Sequence, residues 1–171
     1  VADLLTAAEE TWKQDNNQEA QQLLAEPGAD VVVYLQLLIK QDRKLTELKD
    51  LQGLLWAEGY ASGDLKGPLF NDVPPALRRW HQQGVVLAVY SSGSVAAQQL
   101  LYGHSTEGDL RNLFSHWFDT RTGPKQDVGS YRAISEAMGV GSAKVLFISD
   151  SLMECEAAHA AKMQVLFSDR E

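Results

Sequence analysis

The sequence holds a single cysteine, Cys155, so an intramolecular disulfide is impossible and the chain fits a reducing compartment. No apolar stretch approaches the length that spans a bilayer. The first residues, Val1-Ala2-Asp3-Leu4-Leu5-Thr6, have neither a charged start nor a long apolar segment, so no signal peptide is expected. Cations are in the minority: 15 Lys and Arg face 23 Asp and Glu, a net charge of −8. Nucleic acid needs clustered Lys and Arg, so the charge argues against it as a general partner, whereas a small phosphorylated substrate needs only one or two local cations or a metal. The sequence has no Gly-x-Gly-x-x-Gly, no phosphate loop of the Walker type and no Gly-x-Ser-x-Gly, which removes support for dinucleotide binding, P-loop chemistry and serine hydrolysis. His104 and His159 are isolated, with no spacing that suits zinc. The first residue is not methionine, and the chain is expected to be processed or incomplete at its start.

What is present is enough for one domain, or a domain with a small cap: 171 residues, 44% of them hydrophobic. Residues 1–55 read as helical, because Leu4, Leu5, Ala8 and Trp12, then Leu35, Leu38 and Ile39, then Leu45, Leu48, Leu51 and Leu55 recur at helical spacing. Pro27-Gly28 interrupts this region, and the Gly, Pro and Asp of residues 59–75 read as a connection. The expected units are a helical cap over 1–70 and a Rossmann-like core over 71–171. In the second unit the pattern alternates. Strands are expected at 85–90, 145–149 and 164–167, with helices at about 94–101, 127–138 and 151–161 and a short apolar segment at Trp117-Phe118. Such alternation predicts an α/β fold in which helices cover both faces of a parallel sheet, with ligands at the carboxyl ends of the strands. Trp56, Trp80 and Trp117 are expected in the core, and Cys155 as a small buried hydrophobe.

Three features at the strand ends carry chemistry. Val85–Tyr90 runs into Ser91-Ser92-Gly93-Ser94, just ahead of a helix whose free N–H groups and dipole suit a phosphate. The same serines suit an ordinary N-cap and turn. Lys125 follows Gly123-Pro124 and could neutralise phosphate charge, or could be a solvated surface lysine. Asp150 ends a strand expected to be buried on both faces, with Glu154 four residues on; it could bind Mg²⁺ or cap the next helix.

Together the hydroxyl, the lysine and the acid at successive strand ends resemble the second, third and fourth motifs of the haloacid dehalogenase superfamily. Tyr90-Ser91-Ser92-Gly93-Ser94-Val95, the stretch Leu100-Leu101-Tyr102-Gly103-His104-Ser105-Thr106-Glu107-Gly108-Asp109 and Phe118-Asp119-Thr120 narrow the resemblance to the enolase-phosphatases of methionine salvage. Asp42-Arg43-Lys44, Leu51-Gln52-Gly53, Asp72-Val73 with Pro75-Ala76, and Ser130-Tyr131-Arg132 add to it. The resemblance covers roughly residues 40–166.

It implies a three-layer parallel-sheet haloacid dehalogenase-like core with an all-helical cap that closes over the substrate. It also implies a cytoplasmic monomer that converts 2,3-diketo-5-methylthiopentyl 1-phosphate by enolisation and then dephosphorylation, with Mg²⁺. By the same resemblance Ser91 and Ser92 contact substrate, Lys125 holds the phosphate and Asp150 ligates Mg²⁺. The superfamily's first motif, an Asp-x-Asp or Asp-x-Glu that follows an apolar strand ahead of the cap and carries the nucleophile, is absent. Asp30 precedes its apolar run, and Asp119-Thr120-Arg121 lacks the second acid. The nucleophile is thus unassigned, and the chain of 171 residues is expected to be a fragment that is inactive and unstable alone. The alternative reading is a non-catalytic relative that binds a phosphorylated ligand or a protein partner.

Overall fold

The computed structural model describes residues 1–43 and 45–170; Lys44 of the Asp42-Arg43-Lys44 motif and Glu171 lie outside the described residues. The chain forms two compact units, Val1–Leu65 and Lys66–Glu171.

The first unit is helical. It comprises α1 (Ala2–Gln14), α2 (Gln18–Leu24), α3 (Val31–Lys40) and α4 (Thr46–Ser62). Short polar side chains start two of them. Asn17 accepts the Ala20 N–H at 3.1 Å, and Asp30 accepts the Val32 N–H at 2.8 Å. Asp30 therefore begins a helix rather than ending a strand, and the valine run after it lies on α3. Helix α4 stops at Gly63, whose φ of +83° favours a residue without Cβ. The core combines Ala8 and Trp12 of α1 with Tyr34, Leu35 and Leu38 of α3 and Leu48 of α4. The faces expected from spacing end sooner than the pattern suggested, since Ile39, Leu55 and Trp56 are exposed. Trp56 is therefore not a core residue. The buried tryptophan is Trp12, which stacks on Tyr34 at 5.2 Å and donates its indole N–H to the Ala20 carbonyl at 2.8 Å.

A polar knot closes this core. The Tyr34 hydroxyl donates to Asp15 at 2.9 Å, and Arg43 reaches the same carboxylate at 2.7 Å. Burial pushes the Tyr34 hydroxyl up to about 12, with help from its bond to Asp15. A tyrosine whose folded pKa exceeds its unfolded value of about 10 stabilises the fold fully below that pH, and the contribution disappears as pH climbs through 12. A stability profile between pH 9 and 12 should therefore fall more steeply for the wild type than for Tyr34→Phe. Equal slopes would show that the knot carries no such linkage.

The second unit runs α5 (Val73–Gln82), β1 (Leu87–Tyr90), α6 (Val95–Gly103), β2 (Phe114–Phe118), α7 (Val128–Ala137), β3 (Leu146–Ser149), α8 (Leu152–Ala160) and β4 (Gln164–Phe167). Pro74 and Pro75 occupy the first turn of α5, where the missing N–H costs nothing. The α/β alternation of parallel strands and helices holds. The strands do not form one continuous sheet among the described residues. β1 pairs with β2 and β3 with β4, each in parallel. Both ladders pack on α7, where Tyr131 is fully buried and meets Tyr90 of β1 edge-on at 5.7 Å and Phe147 of β3 at 5.0 Å.

Strand β3 is not buried on both faces, as its apolar run predicted. Phe147 and Val165 face the cluster formed with α7 and α8, whereas Leu146 (53% exposed), Ile148 (40%) and Leu166 (53%) line the opposite face. An apolar run reports the capacity for burial on two faces and does not supply the second layer.

Candidate active site

The Ser91–Ser94 loop leaves the carboxyl end of β1. Ser94 caps α6, accepting the Ala97 N–H at 3.2 Å. The capping role therefore falls to the last serine of the run. Ser91 is half-buried and its hydroxyl accepts the Gly93 N–H at 3.3 Å, while Ser92 is exposed. The Ser91 N–H continues the ladder by donating to the Phe118 carbonyl at 3.1 Å. Helix α6 offers less of its N-terminus than its position suggested, because the buried Asp119 carboxylate takes the Val95 N–H at 3.3 Å. Arg121 bonds that carboxylate and holds it below the ordinary range, aided by the Arg121 and Val95 N–H groups.

Lys125 is not a solvated surface lysine. Its side chain is 24% exposed, its Nζ lies 2.7 Å from Glu154 Oε2, and it sits 5.9 Å above the Tyr90 ring. The lysine thus spans the interval between the end of β1 and the start of α8. Its loop is fixed by three successive carbonyls. Gly123 accepts from the Tyr90 hydroxyl at 2.9 Å, Pro124 from Ser130 at 2.8 Å and Lys125 from Tyr131 at 2.6 Å. Gly123 is required here, since its φ is +141° and a Cβ would collide with the Ser130 hydroxyl.

Glu154 is the residue whose role the sequence understated. Spacing placed it beside Asp150 as a favourable first-turn acid. The structure gives it two partners, Lys125 and the Ser149 hydroxyl, the latter at 2.8 Å. The Lys125–Glu154–Ser149 chain ties the lysine to the end of β3. No local pattern announces a contact across 29 residues.

Asp150 precedes α8 and does not cap it, because Ser151 holds the N-cap position. Asp150 is exposed, and its carboxylate makes no ion pair or hydrogen bond among the described residues. It lines an open cavity of about 560 Å³ with Phe70, Ile148, Ser149, Asp169 and Arg170. Among the described residues no group of three or more His, Cys, Asp or Glu side chains converges as a ready metal cage. Mg²⁺ does not demand one, since it keeps several waters and commonly takes one or two carboxylates together with substrate phosphate. One unpartnered carboxylate beside a cavity fits that mode. Cys155 is buried with its thiol toward the Ser149 carbonyl at 3.7 Å, as expected of a small hydrophobe.

Comparison with known proteins shows the family. The model of the haloacid dehalogenase-like hydrolases matches residues 2–162. The chain is 52% identical over 167 residues to enolase-phosphatase E1 of Synechococcus sp. (strain WH7803), covering 94% of this chain and 69% of that protein. The crystal structure of the UTR4 protein of Saccharomyces cerevisiae superposes with a TM-score of 0.73 at 28% identity, over 96% of this chain and 78% of that one. A haloacid dehalogenase-family enzyme of Bacteroides thetaiotaomicron, crystallised with magnesium and inorganic phosphate, shares the fold at a TM-score of 0.51 and 14% identity, over 60% of this chain and 54% of that one. The chain belongs to the haloacid dehalogenase-like hydrolases, as a phosphatase of the enolase-phosphatase group.

Proposed function

We propose that this protein is a Mg²⁺-dependent enolase-phosphatase acting on 2,3-diketo-5-methylthiopentyl 1-phosphate in methionine salvage. The observation that supports the reading is the half-buried Lys125, held by Glu154 and lying over the ring of Tyr90, the residue that precedes the Ser91-Ser92 loop, with the unpartnered Asp150 following β3. A phosphoryl group in flight spreads negative charge over its oxygens, so fixed donors aimed at it supply most of the catalytic gain.

In this reading Lys125 is the point charge. Glu154 and Ser149 fix its Nζ, so little reorganisation is needed when phosphate arrives. Ser91 and Ser92 contribute hydroxyl donors from the opposite ladder. Asp150 would hold Mg²⁺, which when bound would supply charge neutralisation to the phosphoryl oxygens. In a covalent phosphatase mechanism a carboxylate oxygen attacks phosphorus as the alcohol leaves, and water then releases phosphate. None of residues 1–171 is assigned to that attack.

The test is phosphate release from the diketone phosphate and from a small aryl phosphate, with Mg²⁺ and with chelator. The reading expects faster turnover of the diketone phosphate, an enolised product and loss of both activities in chelator. Undiminished release in chelator would overturn the metal assignment, and equal turnover of both esters would overturn the substrate.

A further inference from the structure

The serine loop that faces the phosphoryl group needs something to hold it, and the sequence motifs name nothing for that task. Four hydrogen bonds fix residues 91–95, three of them reaching Phe118 or Asp119 at the end of β2 and one tying the loop to α6. Two come from the backbone of Ser91 and Val95, to the Phe118 carbonyl and the Asp119 carboxylate. The other two come from one side chain. The amide nitrogen of Gln98 donates to the Gly93 carbonyl at 2.8 Å and to the Phe118 carbonyl at 2.8 Å. Gln98 lies in the second turn of α6, reaches back over the helix start, and is only 6% exposed.

We propose that Gln98 is a positioning residue for phosphate binding: its buried amide locks the Ser91–Gly93 loop onto β2 in the geometry that receives the phosphoryl group. The proposal rests on the reading of Ser91 and Ser92 given above. Its geometry is specific. Both donors of one NH₂ group are used on two segments twenty-five residues apart in the chain, so the loop cannot shift along β2 without breaking one of them. The amide oxygen of Gln98 is buried with no hydrogen-bond partner. A buried polar atom left unsatisfied is unfavourable, and the rest of α6 is rich in alanine and leucine. A hydrocarbon would serve packing better at this position. The cost is explained if the two donors are needed to fix the loop. The backbone N–H groups of Ser92 and Ser94 have no partner among the described residues, which is what a loop preorganised for an anion offers.

Three variants of the purified full-length enzyme test this: Gln98→Leu, Gln98→Glu and Ser92→Ala. The readouts are the inhibition constant of inorganic phosphate, kcat and KM for an aryl phosphate, and the thermal midpoint. Gln98→Leu should raise the phosphate inhibition constant and KM about tenfold or more. Ser92→Ala should raise both in the same direction. Gln98→Glu should be impaired at neutral pH, where a carboxylate faces two carbonyl oxygens, and should recover toward wild type as pH falls, because a protonated carboxyl can donate one of the two bonds. Asp119 and Arg121 beside the loop do not confuse the profile, since Arg121 keeps the Asp119 carboxyl below the ordinary range. This acid rescue, read on folded protein, keeps the test valid even where Gln98→Leu folds poorly. If Ser92→Ala weakens phosphate binding while Gln98→Leu shifts only the thermal midpoint, the positioning role is overturned and the reading of the serines stands. If neither serine nor glutamine variants alter phosphate inhibition, the reading of the loop fails and the proposal fails with it.

Discussion

Replacing Lys125 with alanine in the full-length enzyme is expected to lower phosphate release by about 10²–10³-fold, the usual loss when one preorganised donor to a developing anion is removed. The expectation follows from where the ammonium sits. Its 24% exposure and 2.7 Å contact with Glu154 place it in a setting less screened than bulk water, with its position fixed before substrate binds. The variant also strips a partner from Glu154, whose side chain is 15% exposed, so some loss of stability accompanies the loss of rate. Two controls separate the effects. Lys162→Ala removes an exposed lysine from the same unit and should leave turnover unchanged. Lys125→Arg keeps the charge but replaces a compact ammonium by a planar fork in a loop held by three carbonyl hydrogen bonds, and should recover only part of the rate. A Lys125→Ala loss no larger than that of Lys162→Ala, measured on folded protein, would remove the lysine from the site.

How much of this was legible in the sequence differs by residue. The helical spacing of the first unit and the strand–helix alternation of the second were readable because burial on one face imposes a period. The last strand, Gln164–Phe167, falls where its pattern put it. The pattern could not say how strands pair, because pairing is set by contacts distant in the chain. Two parallel ladders and a bare face on β3 therefore had no local signal. The serine run was visible as a candidate, but the division of labour within it was not. Which serine caps α6 depends on where the first turn begins, and the structure assigns that task to Ser94. Lys125 looked like any lysine until Glu154 was brought to it from the following helix. Gln98 carried no signal at all, since a glutamine in a helix is ordinary and only the two carbonyls above it make it otherwise. Local chemistry announces itself in the sequence, whereas the second residue of each interacting pair is supplied by topology.

Asp150→Asn gives the clearest separation of chemistry from folding. The residue is exposed, precedes the N-cap of α8, and makes no ion pair or hydrogen bond among the described residues. Surface substitutions of that kind alter stability by about 0.5 kcal/mol or less, so the thermal midpoint should barely move. Loss of negative charge should, by contrast, remove the carboxylate at the end of β3 that is free to engage a cation, because Glu154 is already committed to Lys125 and Ser149 and the other acid lining the cavity, Asp169, lies beyond the end of β4. An amide oxygen still ligates a hard cation but contributes no charge, so Mg²⁺ affinity should fall steeply. Phosphate release should become undetectable at Mg²⁺ concentrations that saturate the wild type. Raising Mg²⁺ should recover part of the rate if weakened ligation is the cause, and titration by calorimetry should show the weaker binding directly without reference to turnover. Glu156→Gln, which neutralises an exposed acid on α8, is the matching control and should change neither. Wild-type turnover and wild-type Mg²⁺ affinity in Asp150→Asn would show that the metal is held elsewhere and that the acid at the end of β3 has no part in the site.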